Sequence, residues 1–391
     1  MSRDLLLIII SLFTWGVGEG MFIYFQPLYL QQWGAAPLAI GAILGASGVA
    51  MAVSQAPAGY LSDRVGRRPV MWASWILGTG AAWVMALAGS IDLFSVGLIT
   101  YGLTSFVLAP MNSYITGARG KWSVGRAITI TGGFFQLGSV IGPLLGGEIG
   151  NVYGLKTVYM IGASILAVST LIILFVRPQP IHTEVHSAGR GRLLRDRRFV
   201  TFLGIIFVAV FAAYLPQPLV SNFLHNQRGL SLVDIGQLGA VTSLGNALLS
   251  LSLGHLNAGV IFLVGQLLVG GFSLLIWQGT GMVWYGLGSF FYGGYRLCRS
   301  MSIALTRPLV EHSEIGLAYG LLETANGGSV ILAPIVAGLL YQIDPTLIYP
   351  VSIGLLALTL VLSAWYLFGS RHAPGRIVEP AEVEVELVEL T

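Results

Sequence analysis

Apolar runs long enough to cross a lipid bilayer recur from one end of this 391-residue chain to the other. A helix needs about 20 mostly apolar residues to span the hydrocarbon core. That ruler counts twelve: Leu5–Leu30, Leu38–Leu61, Val70–Gly89, Leu93–Gly117, Ala127–Gly150, Leu155–Val176, Phe199–Leu224, Leu232–His255, Val260–Gln278, Met282–Thr306, Ile315–Gln342 and Leu347–Phe368. The runs are continuous rather than alternating, which predicts an all-α membrane protein and not a β-barrel.

Composition points the same way. Charged residues are 9% of the chain and hydrophobic ones 55%, against roughly 25% charged in soluble domains. A soluble domain and a disordered chain are both excluded. The net charge of +3 comes from short clusters between apolar runs, so no nucleic-acid partner is expected. The 52 glycines suit helices that pack closely in lipid. The single cysteine, Cys298, permits no intrachain disulfide. The histidines show no metal spacing and no Walker lysine motif is present, so neither an enzyme nor a cofactor is expected. The run after Arg3 lacks a small-residue cleavage pattern and is interrupted by Glu19, and is read as a retained helix.

With the N-terminus placed in the cytoplasm, sixteen of the 20 Lys and Arg residues fall on that side and only Lys156 and Arg228 on the other. This asymmetry predicts cytoplasmic termini. The longest polar connection follows the sixth span. It divides the chain into a six-helix domain over 1–177, a cytoplasmic linker over 178–198 and a second six-helix domain over 199–370, followed by a solvated acidic tail, read as disordered, over 371–391.

The two halves repeat each other. Gly142-Pro143 and Gly146-Gly147 in span five align with Ala333-Pro334 and Ala337-Gly338 in span eleven, 191 residues later. Gln26-Pro27 meets Gln217-Pro218 and Tyr101-Gly102 meets Tyr292-Gly293 at the same offset. Ile40-Gly41 meets Ile235-Gly236 at 195, the difference arising in the loop after span two. A constant offset across several helices is the mark of internal duplication.

The loop after span two reads Gly59-Tyr-Leu-Ser-Asp63-Arg64-Val-Gly66-Arg67-Arg68-Pro69. It resembles motif A, the cytoplasmic signature of the major facilitator superfamily. Span five, with Gly138, Gly142, Pro143, Gly146 and Gly147, resembles motif C of that superfamily's antiporter branches. The resemblance runs from Leu5 to Phe368. It departs in span four, Tyr101–Asn112, which has no arginine where antiporter branches carry one, and in the degraded second copy of motif A, Gly254-His-Leu-Asn-Ala. It implies two pseudo-symmetric six-helix domains, a central cavity lined by helices one, four, seven and ten, and alternating access driven by an ion gradient. The motif A and motif C residues are gating candidates. Asp63, with Arg64, Arg67 and Arg68, is expected to close the cytoplasmic side by docking near Ile315–Gly320, where a helix N-terminus favours a carboxylate.

Ionisable residues inside a bilayer are costly and mark function. Glu19 stands near the middle of span one and is the candidate proton carrier, with Glu323 of span eleven as a second. Arg296 and Arg299 are three apart and share one face of span ten. Counted from the cytoplasmic side they reach the depth of Glu323, which predicts a salt bridge from one of them, either one. The arginine left over predicts a substrate with an acidic group. Asn112, Gln136, Asn222 and Asn326 are candidate hydrogen-bonding groups for that substrate. The expected protein is a monomeric secondary transporter of the cytoplasmic membrane whose partners are lipids, protons and a small organic solute. Export by antiport is favoured; a proton-linked importer of an organic anion and a lipid flippase are the alternatives.

Overall fold

The structure, a computed structural model, describes residues 2–179, 193–310 and 314–369; the side chains at 56–60, 63, 194, 316 and 369 are not described. The expected tail over 371–391 and most of the linker lie outside the described residues. Among the described residues, eleven helices are long and apolar enough to cross a membrane.

In the first half these are α1 (Arg3–Ile23), α2 (Pro37–Val65), α3 (Arg67–Leu87), α4 (Ile91–Leu103 continued by Leu108–Ala118), α5 (Val124–Tyr153) and α6 (Leu155–Ile173). In the second they are α7 (Arg197–Tyr214), α8 (Leu232–Leu253), α9 (Ala258–Gln278), α11 (Ile315–Ile343) and α12 (Ile348–Ala364), with α10 between as two shorter pieces, Met282–Phe291 and Gly293–Thr306. The run expected over Met282–Thr306 is thus interrupted at Tyr292. There the N–H of Tyr295 bonds the Tyr292 carbonyl at 2.9 Å in a tightened turn. The glycine pair that follows lets α10 approach its neighbours: a Cβ on Gly293 would meet the Gly245 carbonyl of α8, and one on Gly294 the Gly265 carbonyl of α9. In α4, Pro110 has no N–H to offer the carbonyl four residues back, and the chain tightens into a 3-10 turn over Thr104–Val107.

Two expected spans are shorter than their apolar runs. The first ends at Ile23 rather than Leu30, and a separate short helix, Gln26–Gln32, follows. The seventh ends at Tyr214 rather than Leu224, before Val220–Arg228. Both breaks coincide with the repeated Gln-Pro pairs. Apolar counting does not see a proline break inside an apolar run.

Helix starts are fixed by side-chain caps. Ser2 accepts from the N–H of Leu5 at 3.1 Å, Ser123 from that of Arg126 at 3.2 Å, and Ser231 with Asp234 forms a reciprocal capping box at α8. Gly66, at φ 90°, and Gly154, at φ 80°, supply the left-handed turns that join α2 to α3 and α5 to α6.

Within the first half, α1 lies in a groove of glycines on α5. A Cβ on Gly138, Gly142 or Gly146 would run into the carbonyls of Phe13, Val17 and Met21, and Gly16 faces the Phe135 carbonyl in return. Such spacing allows the close backbone packing that holds helices together in lipid. Between halves, α5 packs on α8 and α2 on α11.

Candidate functional site

The two halves meet at one end of the bundle. Gly41 of α2 lies against the carbonyl of Pro334 in α11, and Gly338 against that of Pro37. Gly236 of α8 lies against the carbonyl of Pro143 in α5, and Gly147 against Leu232. Beside these seams the Tyr24 hydroxyl and Ser243 are 3.0 Å apart, and Ser221 donates to the Tyr24 carbonyl at 2.8 Å. Asn222 donates to the Gln31 side chain at 2.5 Å and to the Pro27 carbonyl at 3.3 Å, and Asn226 also donates to Gln31, at 3.0 Å. All these residues sit at the end opposite Arg64, Arg67, Arg119 and Arg126. Toward that basic end the packing loosens: no heavy atom lies within 4 Å of where a Cβ would stand on Gly125, Gly132, Gly133 or Gly320.

Between the halves lies a cavity of about 660 Å³. Its roof is Tyr24, Gln26, Pro27, Gln217, Pro218 and Ser221, beneath the seal just described; toward the basic end it is lined by Met111, Asn112, Ile115 and Ile128. Among the residues that line it, Glu19 and Arg296 carry the charges. Glu19 lies beside the rings of Trp15 and Tyr101, and Trp15 and Tyr101 stack with centroids 6.3 Å apart and planes 16° from parallel. Trp75 closes on Trp15 edge-on at 5.3 Å, its indole N–H held by Ser11 and Ser169 at 3.0 and 3.1 Å. The Tyr101 hydroxyl is buried and turned toward the Glu19 carboxyl.

One turn beyond Arg296, Arg299 donates to Glu323 at 2.9 Å. The pair is about one-third exposed, 35% and 36%, and does not line the cavity. Among the described residues, Arg296 has no carboxylate within 4 Å.

A sequence profile of the Major Facilitator Superfamily matches residues 8–297 and, again, 202–390. The chain belongs to the major facilitator superfamily. An uncharacterized MFS-type transporter of Methanocaldococcus jannaschii is 22% identical over 363 residues, 88% of this chain and 92% of that protein. Multidrug resistance protein MdtG of Escherichia coli is 28% identical over 212 residues, 52% of this chain and 50% of MdtG, so this likeness spans half of each protein. Among solved structures, nucleoside transporter NupG superposes with a TM-score of 0.83 at 14% identity, over 93% of this chain and 100% of the NupG chain. The human organic anion transporter MFSD10 superposes with a TM-score of 0.66 at 17% identity, over 92% and 99%. At these identities the two structures share the fold. The protein is therefore an integral membrane transporter and not an enzyme.

Within this major facilitator fold the residues singled out in the sequence separate into groups. Glu19, Arg296 and Asn112 line the cavity. Glu19 stands four residues before the end of α1, not at its middle, because the helix stops at Ile23. Arg299 and Glu323 pair beside the cavity, and Gln136 is half-buried outside its lining. Asn222 belongs to the seal between halves. Asn326 is fully buried, with neither amide atom hydrogen-bonded. Of the motif C residues, Gly138, Gly142 and Gly146 pack inside the first half on α1, whereas Pro143 and Gly147 form the seam with α8. Of motif A, Gly66 makes the turn and Arg67 donates to the Ser113 carbonyl at 3.3 Å and the Gln179 side chain at 3.2 Å. Arg68 covers the Trp72 ring at 3.9 Å, and Arg64 is exposed. The docking expected of Asp63 lies outside the described residues, as does the immediate surrounding of Gly59.

Sequence reasoning passed over the cavity's rings and amides: Trp15, Trp75, Tyr101, Gln26 and Gln217. A signal for three of them was present. Gln26, Gln217 and Tyr101 are members of the matched repeat pairs, and positions that survive in both halves were open to a reading as cavity positions.

Proposed function

We propose that the protein is a twelve-crossing secondary transporter that moves a small organic solute with an acidic group by alternating access, coupled to protons through Glu19. The observation that carries this is the cavity itself. It lies between repeated halves, is sealed at the far end, and is lined by one acid and one base that are not paired with each other. With the basic end in the cytoplasm, this conformation faces inward. The broken α10 counts as the twelfth crossing, and the protein works as a monomer with both termini in the cytoplasm.

Arg296 supplies the anion site. A guanidinium without a carboxylate partner in a low-dielectric place is costly, and an acidic substrate offsets that cost. Glu19 supplies the proton site, because a carboxyl enclosed by rings and backbone is uncharged at little cost once protonated. Export in exchange for protons is the favoured direction, supported by the likeness to MdtG over half of both chains.

The test is solute counterflow and proton movement in proteoliposomes that enclose a pH-sensitive dye, with a panel of matched organic acids, their amides and organic cations. Acid movement coupled to proton movement in the opposite direction, and loss of both in Arg296→Gln, is the expected result. Selection of cations, or undiminished acid transport by Arg296→Gln, would overturn it.

A further inference from the structure

Glu19 and Arg296 come from opposite halves but stand at one depth. Tyr24 of the first half and Tyr292 of the second both line one small, mostly apolar pocket under the far-end seal, which places them at a similar level. The chain through α1 runs toward that end, and Glu19 precedes Tyr24 by five residues. The chain through α10 runs away from it, and Arg296 follows Tyr292 by four. At 1.5 Å per helical residue both lie about 6–8 Å below the shared level. The cavity therefore has a negative pole on one wall and a positive pole on the facing wall, with no ion pair between them. Beside the negative pole stands the aromatic wall of Trp15 and Tyr101, with the Tyr101 hydroxyl turned toward the Glu19 carboxyl.

We propose that the substrate is dipolar and ring-bearing: a planar organic acid that also carries a basic nitrogen, its acid group on Arg296, its nitrogen on Glu19 and the Tyr101 hydroxyl, and its ring against Trp15 and Tyr101. A single acid would satisfy Arg296 and leave the opposite pole unused. A single amine would do the reverse. A flat ring fits the wall because aromatic faces prefer offset stacking or edge contact with one another, and an ammonium near Trp15 and Tyr101 gains further from the ring faces. Coupling follows without another group. The substrate nitrogen and a proton compete for the same carboxylate, so the carrier holds one or the other. This rests on the anion-site reading above and adds the second pole and the ring to it.

The test is binding to the purified full-length protein, by calorimetry at pH 7, of four matched probes. 4-(Aminomethyl)benzoate has both poles and a flat ring. 4-Methylbenzoate lacks the nitrogen, benzylamine lacks the acid, and trans-4-(aminomethyl)cyclohexanecarboxylate keeps both charges on a saturated ring. The expected order puts 4-(aminomethyl)benzoate at least tenfold tighter than either single-charge probe and at least threefold tighter than the saturated one. Glu19→Gln should erase its advantage over 4-methylbenzoate while leaving 4-methylbenzoate within threefold of wild type. Arg296→Gln should weaken both acids at least tenfold. Equal affinity for 4-methylbenzoate and 4-(aminomethyl)benzoate in wild type overturns the dipolar substrate and leaves the anion site standing. Benzylamine binding as tightly as both acids, with Arg296→Gln unchanged, overturns the anion site as well. Binding of none of the four overturns the dipolar inference.

Discussion

Gly236 of α8 sits directly against the carbonyl oxygen of Pro143 in α5, and the repeat reproduces the contact: Gly41 of α2 sits against the carbonyl of Pro334 in α11. The partners in each contact come from different halves. A side chain at either glycine would have to push two backbones apart, and overpacking of this kind costs about 1–3 kcal/mol. Gly41→Leu and Gly236→Leu should therefore wedge the far end open and move the population toward the outward-facing state. Nitroxide pairs across the far end should report longer distances in both variants than in wild type. Unchanged distances would show that the seam yields elsewhere.

The same substitution inside one half should act differently. Gly142 meets the Val17 carbonyl of α1 and belongs to the first half alone. Gly142→Leu should lower folded yield and thermal stability without favouring either state, whereas Gly132→Ala, where nothing lies within 4 Å, should leave stability within about 1 kcal/mol of wild type. Thermal denaturation in detergent, followed by fluorescence-detected size exclusion, separates the two.

The bond from Asn222 to Gln31 is a neutral latch across the far end. A buried hydrogen bond contributes about 1 kcal/mol net. Asn222→Ala and Gln31→Ala should each raise the outward-open population about fivefold, and the double variant should do little more than either alone. Accessibility of an engineered cavity cysteine to a membrane-impermeant reagent, in a Cys298→Ser background, measures it.

The Arg299–Glu323 pair is about one-third exposed, so its coupling should be modest, about 1 kcal/mol. Arg299→Gln and Glu323→Gln should each lower the melting temperature by a few degrees, and the double variant by less than the sum. Neither should abolish solute binding, because neither residue lines the cavity. Loss of binding in both would move the anion site from Arg296 to this pair.

The fold was legible because lipid leaves the chain few choices. With backbone groups satisfied only inside helices, apolar run length picks out the helices, and a constant offset points to the duplication. What escaped was where helices stop within an apolar run. Pro27 and Pro218 end α1 and α7 early, and this moved Glu19 from the middle of a helix to just beneath the seal. The site was half legible. Charges in apolar sequence, such as Glu19 and Arg296, announce themselves by their cost. Rings do not: Trp15 and Tyr101 read as ordinary membrane residues, and only the packing of α1 on α5 and α6 brings Trp15 against Tyr101 at the cavity wall.

If protonation of Glu19 governs alternating access, pulsed electron–electron distance measurement should register both ends of the bundle moving with pH. One nitroxide pair would span the basic end, at Val124→Cys and Leu251→Cys; another would span the far end, at Val152→Cys and Ile343→Cys; both would be built on Cys298→Ser. As pH is stepped between 5 and 9 in lipid nanodiscs, the two distances should change in opposite directions, and Glu19→Gln should hold both fixed. Distances that change together, or that respond to pH in Glu19→Gln as they do in wild type, would show that Glu19 does not govern the exchange between states.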